Sequence, residues 1–303
     1  MKFGQVTNPT IVDFSLPNTP LRTLELLKNS NVDNKPLAIH IGAARWGKAE
    51  LKGFYPRGTK EELPYYSSQF NTIELNSTFY HSPTKHQVET WRLKSNEHFK
   101  FCPKIPQSIS HYSRLNNTAD KVLEFVDAVA FFEEKLGMGF LQLPENFSPK
   151  DFERLVNFLR HFPEGFPLSV EVRHLDWYTP SILERLNQLL VETKKTHTIV
   201  DTPGRRDLVH MHLTSPSAFI RFVSAKHDLD YQRLDNWIQK IVEWKNAGLQ
   251  DLYFFIHQEV SVEAPLLATY FVTNLNKALN TQVKVPQKAI EVTSKMQQNL
   301  TLF

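Results

Sequence analysis

The stretch GFLQLPENFSPKDFERLVNFLRHFPEGFPLSVEVR, residues 139–173, decides the fold. It opens on a short apolar run, 139–143, and closes on a second, 168–173. Between them Ser148-Pro149-Lys150-Asp151 supplies an N-cap, a proline at the first helical position and a capping-box acid. Phe152, Leu155, Val156 and Leu159 then recur at the spacing of one helix face. Strand, amphipathic helix, strand is the repeating unit of a parallel sheet with crossover helices.

The same alternation extends in both directions. Apolar runs at 37–42, 72–78, 99–104, 198–201, 218–223 and 252–257 bring the expected strands to eight. Helices are expected over 59–70 and 84–95, around Val122, Phe125, Val126 and Val129 with Gly137 as a left-handed stop, and from Thr179-Pro180 through Leu183, Leu186 and Leu190. Leu234, Trp237, Ile238, Ile241 and Val242 line another that ends at Gly248, and Leu266, Leu267, Tyr270 and Phe271 line the last. Only 202–217 lacks a helical period, which makes the link between strands six and seven an irregular crossover. Eight strands in strict alternation point to an α/β, TIM-type (β/α)8 barrel over 37–303, because closure removes both sheet edges. A doubly wound open sheet is the competitor, without its usual glycine-rich first turn. Residues 1–36 form an N-terminal extension with a short helix after Thr19-Pro20, expected to plug the lower mouth.

Composition narrows the function. The chain has 303 residues, 41% of them apolar, which is ample for a sizeable core. Thirty-five Lys and Arg against 32 Asp and Glu leave +3, too little to imply a nucleic-acid or membrane surface. The single Cys102 removes disulfide frameworks and multi-cysteine metal sites and fits a reducing compartment. With no apolar h-region near the start and no spanning run, a cytoplasmic protein is expected. No G-x-G-x-x-G, P-loop, G-x-S-x-G or H-E-x-x-H motif is present, so no cofactor is assigned.

Polar side chains collect near the C-terminal ends of the strands, where barrels of this type build their sites. Glu74, Asn76 and Thr78 share a parity in strand two, and Glu171 and Arg173 do so in strand five. Lys104, Gln142, Asp201, Arg221 and His257 come from strands three, four, six, seven and eight. Three acids, Glu74, Glu171 and Asp201, face three cations, Lys104, Arg173 and Arg221. Aromatics follow strands one, two and five: Trp46, Phe79, Tyr80, Trp177 and Tyr178, flat faces suited to a sugar or planar ligand. The plainer alternatives are interlocked ion pairs filling the upper layer and loops packed by their own aromatics. His210-x-His212 puts two rings on one face of an extended segment but lacks a nearby acidic ligand, so no metal is assigned there.

Taken in order, several segments resemble the YecE-like family, also known as domain of unknown function 72. They are Ile41-Gly42-Ala43-Ala44-Arg45-Trp46, Phe54-Tyr55-Pro56, Ile73-Glu74-Leu75-Asn76-Ser77-Thr78-Phe79-Tyr80 and Phe99-Lys100-Phe101-Cys102-Pro103-Lys104. Ile109-Ser110-His111, Phe140-Leu141-Gln142-Leu143-Pro144 and Val170-Glu171-Val172-Arg173-His174 complete the series. The resemblance covers 37–303, and the pattern with its closing tail, 298–303, is most similar to the YecE branch. It implies a TIM-type barrel and no defined activity. The family's polar positions fall on Glu74, Asn76, Lys104, Gln142, Glu171, Arg173, His174 and Asp201. Two departures stand out: Arg221-Phe222-Val223-Ser224 where many relatives have Arg-Leu-His-Gly, and Ile256-His257 where many have two asparagines.

The expected function is acid–base chemistry on a small anionic or sugar-like substrate at the C-terminal mouth, with hydrolase, isomerase and lyase reactions all open. Glu74 and Glu171 are the expected acid–base pair, with Lys104 in the catalytic group. Lys104, Arg173 and Arg221 would hold an anion, and Asn76, Gln142, Asp201, Trp46, Tyr80 and His257 would bind substrate. One alternative is a divalent-metal isomerase- or endonuclease-like barrel using Glu74, Glu171, Asp201 and His257. The other is a non-catalytic metabolite-binding protein. The partner expected is a small molecule, not nucleic acid or membrane, and the sequence assigns no oligomeric state.

Overall fold

The structure is a computed structural model that describes residues 4–30, 35–258 and 264–287. The tail at 298–303 lies outside the described residues.

Eight parallel strands form one sheet: β1 (Ala38–Ala43), β2 (Thr72–Leu75), β3 (Lys100–Pro103), β4 (Gly139–Gln142), β5 (Leu168–Glu171), β6 (Thr196–Asp201), β7 (Ser217–Val223) and β8 (Asp251–His257). Their order is β3-β2-β1-β8-β7-β6-β5-β4. Single bridges, Phe101 with Leu136 and Lys104 with Phe140, join β3 to β4 and bring the barrel nearly to closure. Gly137 serves this seam. Its N–H donates to Phe101 O at 2.7 Å, and a Cβ there would lie 2.8 Å from Cys102 Sγ. It is not the left-handed helix stop expected of it, since the positive-φ glycines are Gly4, Gly53, Gly58 and Gly248. The helix before it ends earlier and continues as a 3-10 turn over Ala130–Lys135.

Nine α-helices are described: α1 (Leu21–Ser30), α2 (Glu62–Gln69), α3 (Ser77–Tyr80), α4 (Lys85–Lys94), α5 (Ala119–Val129), α6 (Phe152–His161), α7 (Pro180–Glu192), α8 (Leu229–Ala247) and α9 (Ala264–Leu279). None is long and apolar enough to cross a membrane. Helix α8 stops at Gly248 as expected: with φ at 119° its N–H bonds to Trp244 O and Lys245 O, a turn that a side chain would strain. The apolar side chains divide into two cores. The larger lies between strands and helices, around residues such as Leu141, Val170, Ile220 and Phe254. A smaller one, Cys102, Met138, Phe140, Phe219, Tyr253 and Phe255, fills the barrel interior.

No α-helix links β6 to β7, only a 3-10 turn at Arg206–Leu208, and the N-terminal extension takes that place. Gly4 O accepts from Thr202 Oγ1 and Gly204 N just after β6. Phe14 lies under the guanidinium groups of Arg206 and Arg233, at 5.2 and 4.5 Å from its ring. Thr23 of α1 accepts from Leu213 N in the crossover, Arg22 pairs with Glu184 of α7, and Thr19 accepts from Trp244 of α8. Leu27 and Thr23 are buried. Helix α1 therefore covers the flank between α7 and α8 rather than plugging the lower mouth. The reason is physical: a crossover without its own amphipathic helix leaves apolar strand surface that another segment must cover.

The same flank contains a stack of imidazoles. His197 and His210 lie 3.9 Å apart between ring centroids, and His212 is 5.8 Å beyond. His197 Nδ1 faces Asn187 Oδ1 of α7 at 2.8 Å, and His210 Nε2 faces Thr198 O at 3.1 Å. His210 and His212, the pair of rings considered as a possible metal couple, are instead packed into this stack with His197, and among the described residues no carboxylate is hydrogen-bonded to His197 or His210. Burial holds His210 down to about 3, and burial with its neighbours holds His197 well below the usual imidazole range. A depressed imidazole stabilises the fold fully above the unfolded value near 6.5 and loses that contribution as pH falls, because only the unfolded chain takes up the proton. The buried carboxylates begin to lose theirs only below about 4.5. Stability measured by denaturant titration should therefore fall from pH 6.5 to 4.5, each such histidine contributing up to about 1.4 kcal/mol per pH unit. His210→Phe should make that slope shallower, and an unchanged slope would contradict the neutral stack.

Candidate functional site

Strand parity decides which side chains meet. On β7, Phe219 faces the interior core, so Arg221 two residues on faces the interior one layer higher. The same step leads from Cys102 to Lys104, from Phe140 to Gln142 and from Phe255 to His257. Glu74 pairs in register with Cys102, and Gln142 with Glu171. These residues converge.

Arg221 is the hub. Its Nε and Nη2 both donate to Glu74, to Oε2 and Oε1 at 2.9 Å each, a two-pronged fork. Its Nη1 donates to Glu171 Oε2. The other Glu171 oxygen accepts from Arg173 Nε at 2.6 Å and Gln142 Nε2 at 2.9 Å. Glu74 accepts in addition from Asn76 Nδ2 at 2.9 Å, and His257 Nε2 lies 2.7 Å from its Oε2. Both carboxylates are fully buried. Among the described residues the Lys104 side chain has one hydrogen-bond partner, Gln142, whose Oε1 accepts from Nζ at 2.9 Å. Its ammonium sits 4.2 Å from the Phe79 ring centre and 5.6 Å from that of Phe140.

This wiring sets the charges. Burial pushes the Glu74 carboxyl up, but Arg221 and His257 outweigh it and hold it well below the usual range. Burial likewise raises Glu171, yet Arg221 and Arg173 bring it down to about 2. Arg221 is desolvated, but the two carboxylates hold it more firmly charged than a free guanidinium. Lys104 behaves in the opposite way. Burial and the Arg221 charge lower it to about 7, with Glu74 and Glu171 only partly offsetting them. His257 is lowered, mainly by burial against the pull of Glu74.

A cleft of about 820 Å³ opens above this cluster at the C-terminal ends of the strands. Glu74, Asn76, Lys104, Gln142, Arg173, Arg221 and His257 line it, as do Trp46 and Tyr80. Glu171 lies beneath them. Tyr80 is 63% exposed at the rim, whereas Trp46 is half-buried and packs edge-on against Trp91.

Several expectations are corrected by this geometry. Asp201 does not join the site. Val200 takes the inward parity on β6 and lines the cleft, so Asp201 faces outward, where Arg206, Arg233 and the Trp237 indole of α8 hold it. Glu74 and Glu171 are not an acid–base pair with separated proton affinities: Arg221 lies between them and both stay ionised. Asn76 does not share strand parity with Glu74 either. The strand ends at Leu75, Asn76 is helical at φ −72°, and it reaches Glu74 from the start of α3. Trp177 packs against the neighbouring loop after β4, donating to Phe147 O at 2.7 Å, and Tyr178 packs its own loop, donating to Val172 O at 2.8 Å. The ligand set of the metal alternative does not assemble, since Asp201 points away and a guanidinium separates Glu74 from Glu171. Among the described residues no group of three His, Cys, Asp or Glu side chains is placed to hold a metal ion.

Other contributors were not selected from the sequence. His111, in the loop after β3, packs edge-on against Phe79 at 4.9 Å and is lowered to about 4 by burial and the Lys104 charge. Its place in the segment Ile109-Ser110-His111 was the available signal. Arg45, Glu50 and Lys226 line the cleft from loops after β1 and β7, and Gln5 reaches it from the N-terminal extension. No spacing rule marks that last contact.

Comparison with known proteins agrees with this architecture. The chain is 28% identical over 261 residues to the UPF0759 protein YecE of Escherichia coli, from both strain K12 and O157:H7, covering 80% of this chain and 94% of the relative. The UPF0759 protein YunF of Bacillus subtilis is 26% identical over 174 residues, covering 54% and 61%. Among solved structures, a DUF72 family protein from Enterococcus faecalis V583 superposes with a TM-score of 0.64 at 18% identity, covering 82% of this chain and 99% of the other. One from Thermotoga maritima MSB8 also gives 0.64, at 22% identity, covering 79% and 99%. These structures share the TIM-type barrel. The family described as "Protein of unknown function DUF72" matches residues 40–290, and with most of the barrel inside that match, the chain belongs to the DUF72 family.

Proposed function

We propose that the protein is an enzyme that transfers protons to and from a small anionic or sugar-like substrate at the C-terminal mouth of the barrel, with Lys104 as the general base. One observation carries this reading. Lys104 is buried at the floor of the cleft beside a neutral amide and two aromatic faces, and its proton affinity lies at about 7. A proton-transfer group works best with an affinity near the working pH. The two carboxylates, held ionised by Arg221, act as fixed countercharges. Arg173 and Lys226 supply positive charge along the wall, and Trp46 and Tyr80 offer flat faces to a ring. No nucleic-acid or membrane partner belongs to this reading, and a reducing, cytoplasmic setting suits the free, buried Cys102.

A metabolite screen that follows both thermal stabilisation and consumption tests the proposal. The active compound should be turned over with a rate that rises with pH through about 7, as Lys104 loses its proton. Lys104→Met should lower turnover by roughly a hundredfold or more while leaving the circular dichroism spectrum unchanged. Ligands that bind and are never consumed would favour the metabolite-binding alternative instead.

The scaffold carries its own expectation. Arg221→Ala leaves Glu74 buried without a guanidinium and Glu171 with Arg173 alone, and should cost about 3–5 kcal/mol at pH 7. In that variant the Glu74 carboxyl rises above its unfolded value, so its protonation restores stability as pH falls. The deficit relative to wild type, read from parallel denaturant titrations, should shrink between pH 7 and 5. A deficit that is constant or absent would remove Arg221 from its place as hub.

A further inference from the structure

The surroundings of Lys104 suit more than a proton carrier. Its Nζ has one hydrogen-bond acceptor among the described residues, the neutral Gln142 Oε1, and no carboxylate within ion-pair distance. The charged groups that face it are Glu74 from β2, Glu171 and Arg173 from the end of β5, and Arg221 from β7. His111 from the loop after β3 is neutral at physiological pH. Glu74 and Glu171 are already committed to Arg221, so they influence Lys104 through space without binding its nitrogen. Two ring faces, Phe79 and Phe140, flank the nitrogen. Such a site tolerates either a neutral amine or a cation whose charge is spread over nitrogen and carbon.

We propose that Lys104 forms an imine with a small aldehyde or ketone that carries an anionic group. This inference rests on the reading above and deepens it by naming the substrate class. The unprotonated Nζ adds to the carbonyl carbon, forming the C–N bond while the C=O π pair moves to oxygen. A proton passes from nitrogen to that oxygen through solvent water in the open cleft, giving a carbinolamine. The hydroxyl takes up a second proton, drawn from the bulk solvent and consumed in the step, and leaves as water as the nitrogen lone pair closes the C=N bond. The product is a protonated imine, one water is released, and no oxidant or reductant is consumed. The Phe79 and Phe140 faces stabilise the iminium charge, and the carboxylates of Glu74 and Glu171 favour it electrostatically. The carbonyl compound's own anionic group is drawn by Arg45, Arg173 and Lys226 along the cleft wall. Burial and the Arg221 charge bring Lys104 down to about 7, so far more of it is free amine at neutral pH than in an ordinary surface lysine.

The test is reductive trapping on the full-length protein. Pyruvate and dihydroxyacetone phosphate serve as anionic probes and dihydroxyacetone as the neutral control, each with cyanoborohydride at pH 7, followed by peptide mass spectrometry. Lys104 should be labelled at least about tenfold faster than any other lysine, with the anionic probes ahead of the neutral one, and the label should disappear from that peptide in Lys104→Arg. Labelling distributed over surface lysines would overturn the proposal. So would thermal stabilisation by the anionic probes with no adduct at Lys104, an outcome that leaves the proton-transfer reading standing. Neither adduct nor stabilisation by any probe, together with turnover of a compound lacking a carbonyl group, would overturn the imine and keep the base. Specific labelling of Lys104 in a protein that turns over nothing would support the imine and remove the proposed enzyme.

Discussion

One guanidinium holds the upper layer of this barrel together. Glu74 and Glu171 arrive from strands that are not neighbours, and each places a carboxylate where water is excluded. Alone, either would be forced to keep its proton. Arg221 reaches both, with a fork to one and a single N–H to the other, and Asn76, His257, Gln142 and Arg173 occupy the remaining acceptor positions. Such an arrangement seldom improves stability over apolar packing of the same volume. Its effect here is to fix charge: the acids stay ionised, the guanidinium stays protonated, and Lys104, which has no carboxylate partner among the described residues, becomes the group whose protonation can change.

The barrel beneath serves that geometry. Aromatic side chains from β4, β7 and β8 fill the interior below the charged layer and exclude water from its lower side. Closure between β3 and β4 depends on close approach at Gly137 and on the bridge between Lys104 and Phe140. The backbone of the titrating lysine is thus part of the seam, which places its side chain firmly. On the opposite flank the chain covers a crossover without an α-helix by laying α1 between α7 and α8. The segment that does so begins beside the cleft, at Gln5, so the extension belongs to the barrel's outer layer and touches its mouth.

Much of this was legible in the sequence because strands and helices are local patterns. The runs at 139–143 and 168–173, the capped helix between them and the stop at Gly248 all reflect short-range physics. Asp201 shows the limit of counting acids at strand ends: parity against Val200 sends it to the helix side, and its partners Arg233 and Trp237 lie far along the chain. Asn76 shows another, since nothing in Glu-Leu-Asn-Ser announces that the strand stops at Leu75. The charge states were illegible for a deeper reason. Whether two neighbouring carboxylates share a proton or both ionise depends on where one distant arginine points. Likewise the place of α1 follows from a vacancy created almost two hundred residues later.

The account's central claim concerns which group titrates. Nuclear magnetic resonance of protein carrying 13C at the lysine ε and glutamate δ carbons, followed from pH 5 to 9, addresses it directly. The account expects a lysine signal, absent in Lys104→Arg, with its midpoint near 7, and no titration from Glu74 or Glu171 anywhere in that range. A carboxyl of either residue titrating between 5 and 8 while Lys104 stays charged throughout would contradict it.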